Sequence, residues 1–255
     1  MRIRQHATLG LAATACLVLS GCTNAADWNA NRSSQIHSYD TSSIQAQPDI
    51  IAKLPQGALE DGVLDVAAST DYAPAEFLDP SGKAVGYDVD LTNAIAAVLG
   101  VKGKVHTAEF DSIIASIGSK YDAGISSFTV TPERTAEVDM TAYVNVGSRF
   151  NVQAGNPKGV DTSDHLNLCG RTIGVQVGTD QETAMRKAAD DCADAGKDVL
   201  SVRSYSKQSE ATTGLVGGTI DATYSDSTVA GYAVELTDGQ IVTLGEVEDA
   251  APQGV

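Results

Sequence analysis

Basic residues are scarce in this chain: 17 Lys and Arg stand against 33 Asp and Glu, a formal net charge of −16 over 255 residues. Nucleic-acid binding draws most of its affinity from Lys and Arg on phosphates, so the sequence points to no nucleic-acid partner. Nor is there a basic patch for anionic lipid headgroups. Cysteine is sparse as well, with four residues, and the four His are scattered. Neither Cys169 nor Cys192 has a Cys or His partner at ligand spacing, so no metal is expected, and no cofactor. The apolar stretch Ala7 to Leu19 is about thirteen residues, too short for an ordinary membrane span. Internal repeats and low-complexity blocks are missing.

That apolar stretch belongs to a leader. Arg2 and Arg4 precede it, and Leu19-Ser-Gly-Cys22 closes it with small residues and a cysteine. The closing motif resembles a bacterial lipobox, which implies removal of residues 1–21 and lipidation of Cys22. The alternative is a secretory signal with an incidental cysteine. Without the leader, 15 basic residues face 33 acidic ones, a balance of −18. One acyl chain holds a protein only marginally, but a diacylglycerol with a third chain would keep it in the cell envelope, on the outer face of the cytoplasmic membrane. Cys16 leaves with the leader and Cys22 is spent on lipid. Cys169 and Cys192 remain, and an exported pair is most simply a disulfide.

Residues 22–48, rich in Asn, Ser, Gln and Asp, read as a flexible tether. Asp49 to Leu59 suggests a short helix. A first lobe over 49–150 opens with a buried strand, Val63 to Ala68. Asp90 is expected to cap a helix that stops at Gly100, with strand Lys104 to Ala108, helix Phe110 to Ile117 and strand Tyr121 to Ile125 behind it. Ala-Gly-Asn-Pro-Lys-Gly159 reads as a break between domains. The second lobe, 151–250, alternates again: strand Thr172 to Gln176, helix Asp180 to Ala195, strand Val199 to Arg203, helix Ser206 to Gly217, strand Ile220 to Tyr224, helix Asp226 to Leu236, strand Ile241 to Leu244. Such alternation implies an α/β fold with largely parallel sheets, whose ligands sit at the carboxyl ends of the strands.

The chemistry concentrates in Asp122-Ala-Gly-Ile-Ser-Ser-Phe-Thr-Val-Thr-Pro-Glu-Arg134. A strand runs into the hydroxyls of Ser126, Ser127 and Thr129. A helix then starts at Thr131 as N-cap, with Pro132 in its first position and Arg134 one turn in. Hydroxyls, backbone N–H groups and a planar guanidinium suit a small carboxylate. Thr-Pro-Glu-Arg also serves as an ordinary capped helix start. Gly178-Thr179 is a second anion-friendly helix start, and Asp226 is a carboxylate at the mouth of another.

In this order the chain resembles the family 3 extracellular solute-binding proteins, the amino-acid receptors of ABC importers. The resemblance is carried by Asp71-Tyr-Ala-Pro-Ala-Glu-Phe77, Gly86-Tyr-Asp-Val-Asp-Leu91, Phe110-Asp111, Tyr121-Asp122, Thr129-Val-Thr-Pro-Glu-Arg134, Gly174-Val-Gln-Val-Gly-Thr179 and Ile220-Asp-Ala-Thr-Tyr-Ser-Asp226. It implies a periplasmic-binding-protein-like type II fold, two α/β lobes on a hinge closing over a free amino acid, monomeric and delivering its cargo to a membrane permease. Arg134 would grip the α-carboxylate with the Thr129 hydroxyl and the Thr179 N–H, in the segment that also carries Gln176. Asp226 would take the α-ammonium, assisted by Ser127 and the Ser126 backbone, with Tyr72 and Phe110 flanking the ligand. Asp226 could equally be a plain N-cap, and Tyr72 and Phe110 plain core. Cys169 and Cys192 also resemble a disulfide of one branch of the family.

Three departures matter. Asp180 stands where family members often have a ligand-holding Thr; with Asp71 it hints at a cationic ligand side chain, or it points away. Ala75 replaces a frequent aromatic, which leaves room. At 251–255 the chain reaches only the start of the family's return to the first lobe, so one hinge connection and a cover for the first lobe are expected to be absent. A compromised or partner-binding module is therefore the alternative to a receptor. An enzyme on the same fold would need an acid or base, for which Glu76, Asp180 and His106 are the loose candidates.

Overall fold

The computed structural model describes residues 38–255. The leader, Cys22 and the tether up to residue 37 lie outside the described residues. The later part of the expected tether follows a defined path. Tyr39 donates its N–H to Asp90 Oδ2 at 2.8 Å, a 3-10 turn spans Thr41–Ser43, and Gln47 donates to the Val98 carbonyl at 2.9 Å. The short helix is Pro48–Ile51 rather than Asp49 to Leu59.

Strand β1 (Val63–Ala68) buries Leu64, Val66, Ala67 and Ala68 and pairs in parallel with β5 (Lys102–Thr107) and β6 (Ala123–Gly124). Small antiparallel strands β2 (Asp71–Tyr72), β3 (Glu76–Leu78) and β4 (Ala84–Val85) form a separate sheet. The helix expected from Asp90 begins at Tyr87 and runs to Leu99. Asp88 and Asp90 therefore lie in its first turn, where carboxylates oppose the positive end of the dipole. The helix expected over Phe110 to Ile117 is a 3-10 turn, Phe110–Ser112, followed by one α-turn, Ile113–Ser116.

The larger sheet has the order β10-β9-β11-β8-β12-β7. Its parallel part is β10 (Ser201–Tyr205), β9 (Thr172–Gln176) and β11 (Ala222–Asp226). The expectation of largely parallel sheets fails for the rest, because β8 (Ala142–Gln153), β12 (Ile241–Gly254) and β7 (Phe128–Thr129) are antiparallel. Helices Asp180–Asp194, Gln208–Val216 and Ser227–Leu236 complete this part. Its core holds Phe150 stacked on Tyr224 at 4.2 Å with Ile173, Val175, Met185 and Leu200. Cys169 and Cys192 are joined in a disulfide, with Cα atoms 5.7 Å apart.

The connection expected to be absent is made. Strand β12 does not stop at Leu244 but continues to Gly254, pairing first with the far half of β8, then its near half, then β7. Val255 exchanges backbone hydrogen bonds with Thr141 at 2.9 and 3.0 Å, and its side chain packs against Leu64, Val66, Ala96 and Ile125. Beside the two-residue β6, a hollow of about 400 Å³ is lined by Ile114, Ile117, Phe128, Met140 and Val255.

Candidate ligand-binding site

Arg134 sits where the cap chemistry puts it. The helix Pro132–Thr135 starts at Thr131, whose Oγ1 accepts the Arg134 N–H at 3.3 Å. The guanidinium spends two of its five N–H groups on the protein: Nη1 donates to the Thr129 carbonyl at 2.8 Å and Nη2 to the Gly178 carbonyl at 3.0 Å. It lies 5.5 Å from the ring centroids of both Phe110 and Phe128, which stack at 4.8 Å. Phe110 is thus a core ring and a cation–π partner of Arg134. Burial lowers the Arg134 pKa while Asp180 and Asp226 oppose that; arginine stays charged.

Across from it, Thr179 caps the helix Asp180–Asp194. Its hydroxyl donates to the Gln176 carbonyl at 2.7 Å and accepts the Glu182 N–H at 3.1 Å. In a capping box the Glu three residues on would return to the N-cap N–H. Here Glu182 Oε2 instead takes the Gly178 N–H at 2.7 Å. The Thr179 N–H, at the positive end of the helix, therefore has no acceptor among the described residues. Asp180 is exposed, and its side chain makes no hydrogen bond among the described residues.

Asp226 is 4 % exposed. Its N–H donates to Tyr72 Oη at 3.2 Å, Oδ1 accepts from Gln181 Nε2 at 2.8 Å, and Oδ2 accepts from Gln253 Nε2 at 2.6 Å. Burial pushes its pKa up to about 6 against the pull of those hydrogen bonds. A carboxylate offers about four acceptor positions, so both oxygens retain capacity for a cation. Asp226 precedes its helix without a side-chain cap bond, which distinguishes it from a plain N-cap.

The expected serine hydroxyls are not open. Ser126 Oγ donates to the fully buried Glu76 at 2.6 Å and accepts the Ser69 N–H at 2.9 Å. Ser127, at φ +50°, directs both N–H and hydroxyl to Asp88 Oδ2, while Tyr143 donates to Asp88 Oδ1 at 2.7 Å. Asp71 is held by Ser69 on one oxygen and by Ser209 on the other. Four residue pairs are hydrogen-bonded through side chains between the part of the chain that precedes β8 and the part that follows it. These are Gln176 Nε2 to Ser69 Oγ at 3.1 Å, Ser209 to Asp71, Asp226 to Tyr72 and Arg134 to Gly178. Tyr72 also packs with Ala75 and Val229, so it bridges rather than merely fills.

Arg134, Thr129, Gln176, Thr179, Asp226 and Tyr72 are thus brought to facing strand and helix ends. The acid and base candidates are not brought together: Glu76 bonds Ser126, His106 bonds Asp65, and Asp180 is exposed. Sequence reasoning missed Gln181, Gln253, Glu182 and Ser209. Only Glu182 carried a signal, the Thr-x-x-Glu spacing of a capping box.

Mixed and parallel sheets meeting over a fixed cation and a buried carboxylate define the α/β periplasmic-binding-protein-like class. Within it, the chain belongs to the bacterial extracellular solute-binding proteins, family 3, whose family model matches residues 64–233. It is 31% identical over 250 residues to the arginine-binding protein ArgT of Corynebacterium glutamicum, covering 97% of this chain and 79% of that one. It is 29% identical over 198 residues to the L-cystine-binding protein TcyJ of Escherichia coli K12, covering 77% and 71%. Among solved structures, an ancestral arginine-binding protein bound to arginine matches with a TM-score of 0.68 and 34% identity, over 76% of this chain and 83% of that chain.

Proposed function

We propose that the protein captures a free amino acid with a polar, cationic side chain between two lobes and hands it to the permease of an ABC importer. The observation that carries this is the opposition of Arg134, with unspent guanidinium N–H groups beside the open Thr179 N–H, to the buried Asp226 carboxylate. A zwitterion leaving water needs one fixed partner for each charge. Thr129 and Gln176 line the carboxylate side, and Tyr72 the ammonium side. Ser126 and Ser127 act indirectly, by fixing the loop through Glu76 and Asp88. The arginine-binding relatives and the acidic surroundings of Asp71 and Asp180 support a cationic ligand. We place the lobe boundaries in β8 and β12. The Leu19–Cys22 motif supports a lipid anchor, and no helix among the described residues is long and apolar enough to cross a membrane. Binding rather than catalysis is the assigned role, a reading supported by the solute-binding family model and the arginine-binding relative.

Thermal unfolding of the purified protein against the twenty amino acids at millimolar concentration tests this. Ligand at a hundred times its dissociation constant adds about 2.7 kcal/mol, a shift of several degrees. A cooperative melt that no amino acid moves would sink the assignment.

A further inference from the structure

Gln253 lies near the end of strand β12 and is 1 % exposed. Its backbone pairs with Thr129 on one side and Val144 on the other, so its position is fixed by two strands. Its amide orientation is fixed by chemistry. Nε2 lies 2.6 Å from Asp226 Oδ2, and the reverse orientation would set two acceptors against each other. The amide oxygen Oε1 is buried and has no hydrogen-bond partner among the described residues. Buried acceptors in folded proteins are almost always satisfied, so this one calls for a donor. Covalent geometry puts Oε1 within about 5 Å of Asp226 Oδ2. A single nitrogen bearing several N–H groups can therefore bond to both.

We infer that Gln253 is a ligand-binding residue whose Oε1 accepts a hydrogen bond from the α-ammonium that Asp226 neutralises. This rests on the amino-acid reading above and extends it to the end of β12, the strand whose closing residues return to β7. The Nε2 group meanwhile steadies Asp226, with Gln181 doing the same on the other oxygen. Capture of the ammonium would thereby engage Asp226 and Gln253 directly and, through the Asp226 N–H, Tyr72 of β2.

The test compares L-arginine with 5-guanidinopentanoic acid, which lacks only the α-amino group, by calorimetry on wild type and Gln253→Met. If another of the twenty amino acids binds more tightly, it and its des-amino analogue replace the pair. Gln253→Met is expected to weaken L-arginine about tenfold or more and the analogue by less than about twofold. Repeating the measurement at pH 8 separates contact from support. Mere loss of support for the Asp226 charge would be recovered there, whereas a lost contact to the ammonium persists. Equal losses for both ligands, or recovery at pH 8, would overturn the assignment while leaving the receptor reading intact. A wild type that binds no amino acid overturns both. Should the variant fail to melt cooperatively, the crystal structure of the wild-type complex decides: Oε1 bonded to the ammonium is expected, and Oε1 bonded only to water refutes it.

Discussion

Gly178 and Asp111 meet so closely that a Cβ on Gly178 would lie 2.8 Å from the Asp111 Cβ. Gly178 also sits at φ +77°, where a side chain costs about 1–2 kcal/mol. Its carbonyl is the one that holds Arg134 and its N–H the one that holds Glu182. Gly178→Ala is therefore expected to oppose the closed arrangement and lower ligand affinity about tenfold or more. Calorimetric titration checks it; unchanged affinity would mean that the 110–112 turn and the 178 turn do not meet when ligand binds.

In the proposed mode of binding, truncating either charge of the site leaves the ligand group that it would neutralise unpaired. Arg134→Ala and Asp226→Ala are each expected to cost about 2–5 kcal/mol of binding, roughly 30-fold or more. Arg134→Lys should recover only part, because the fork that reaches Thr129, Gly178 and a carboxylate together is lost. The ligand-induced thermal shift of the three variants is the measurement.

Asp226 also sets a pH dependence with opposite signs for folding and for binding. Its folded pKa, about 6, lies above the ordinary 3.8, so the unfolded chain holds this charge more readily. The resulting cost to stability, on the order of 3 kcal/mol, is present above pH 6 and disappears as pH falls from about 6 to about 4. Asp71, Asp88 and Glu76, all raised mainly by burial, act in the same direction. The Asp226 part is isolated as the difference from Asp226→Asn. Ligand affinity should instead fall below pH 6 in wild type, since an uncharged Asp226 no longer neutralises the ammonium.

The disulfide lies at the other end of the helix that Thr179 starts. Cys192 is about 18 Å along that helix from Asp180. Replacing Cys169 and Cys192 with Ser should lower stability by about 3 kcal/mol. At the typical scaling for a chain of this size, Tm should fall by roughly 6–12 °C, with affinity within about twofold of wild type. A large loss of affinity at unchanged Tm would contradict this division.

Much of the architecture was legible in local patterns, and the parts that were not depend on distant partners. Thr172–Gln176 and Val63–Ala68 agree to the residue, because each is a short apolar run bounded by turn chemistry. β12 was read only as far as Leu244. Glu246, Glu248 and Asp249 break its pattern, and its continuation depends on pairing with β8 about a hundred residues earlier, interrupted by register shifts. In the site, charged and hydroxyl residues after strands drew attention by type. Gln181 and Gln253 carry no charge and follow no motif. Their bonds to Asp226 span 45 and 27 residues, separations that no local pattern records. The serine hydroxyls misled for the converse reason: the buried partners that occupy them, Glu76 and Asp88, come from other elements.

Strands β8 and β12 run side by side between the regions that the ligand would bring together. Their ladder shifts register between Leu244 and Glu248 and again before Ala251, and a Cβ on Gly147 would lie 2.5 Å from the Glu248 carbonyl oxygen. A single strand would leave its two ends free to twist and slide. Two strands laced together suppress both motions and leave bending, which is easiest where the lacing is interrupted. If capture of an amino acid draws those regions together as proposed, bending at these interruptions is the motion the ladder leaves, and occupancy of the cleft would be expressed as a single angle, readable from outside.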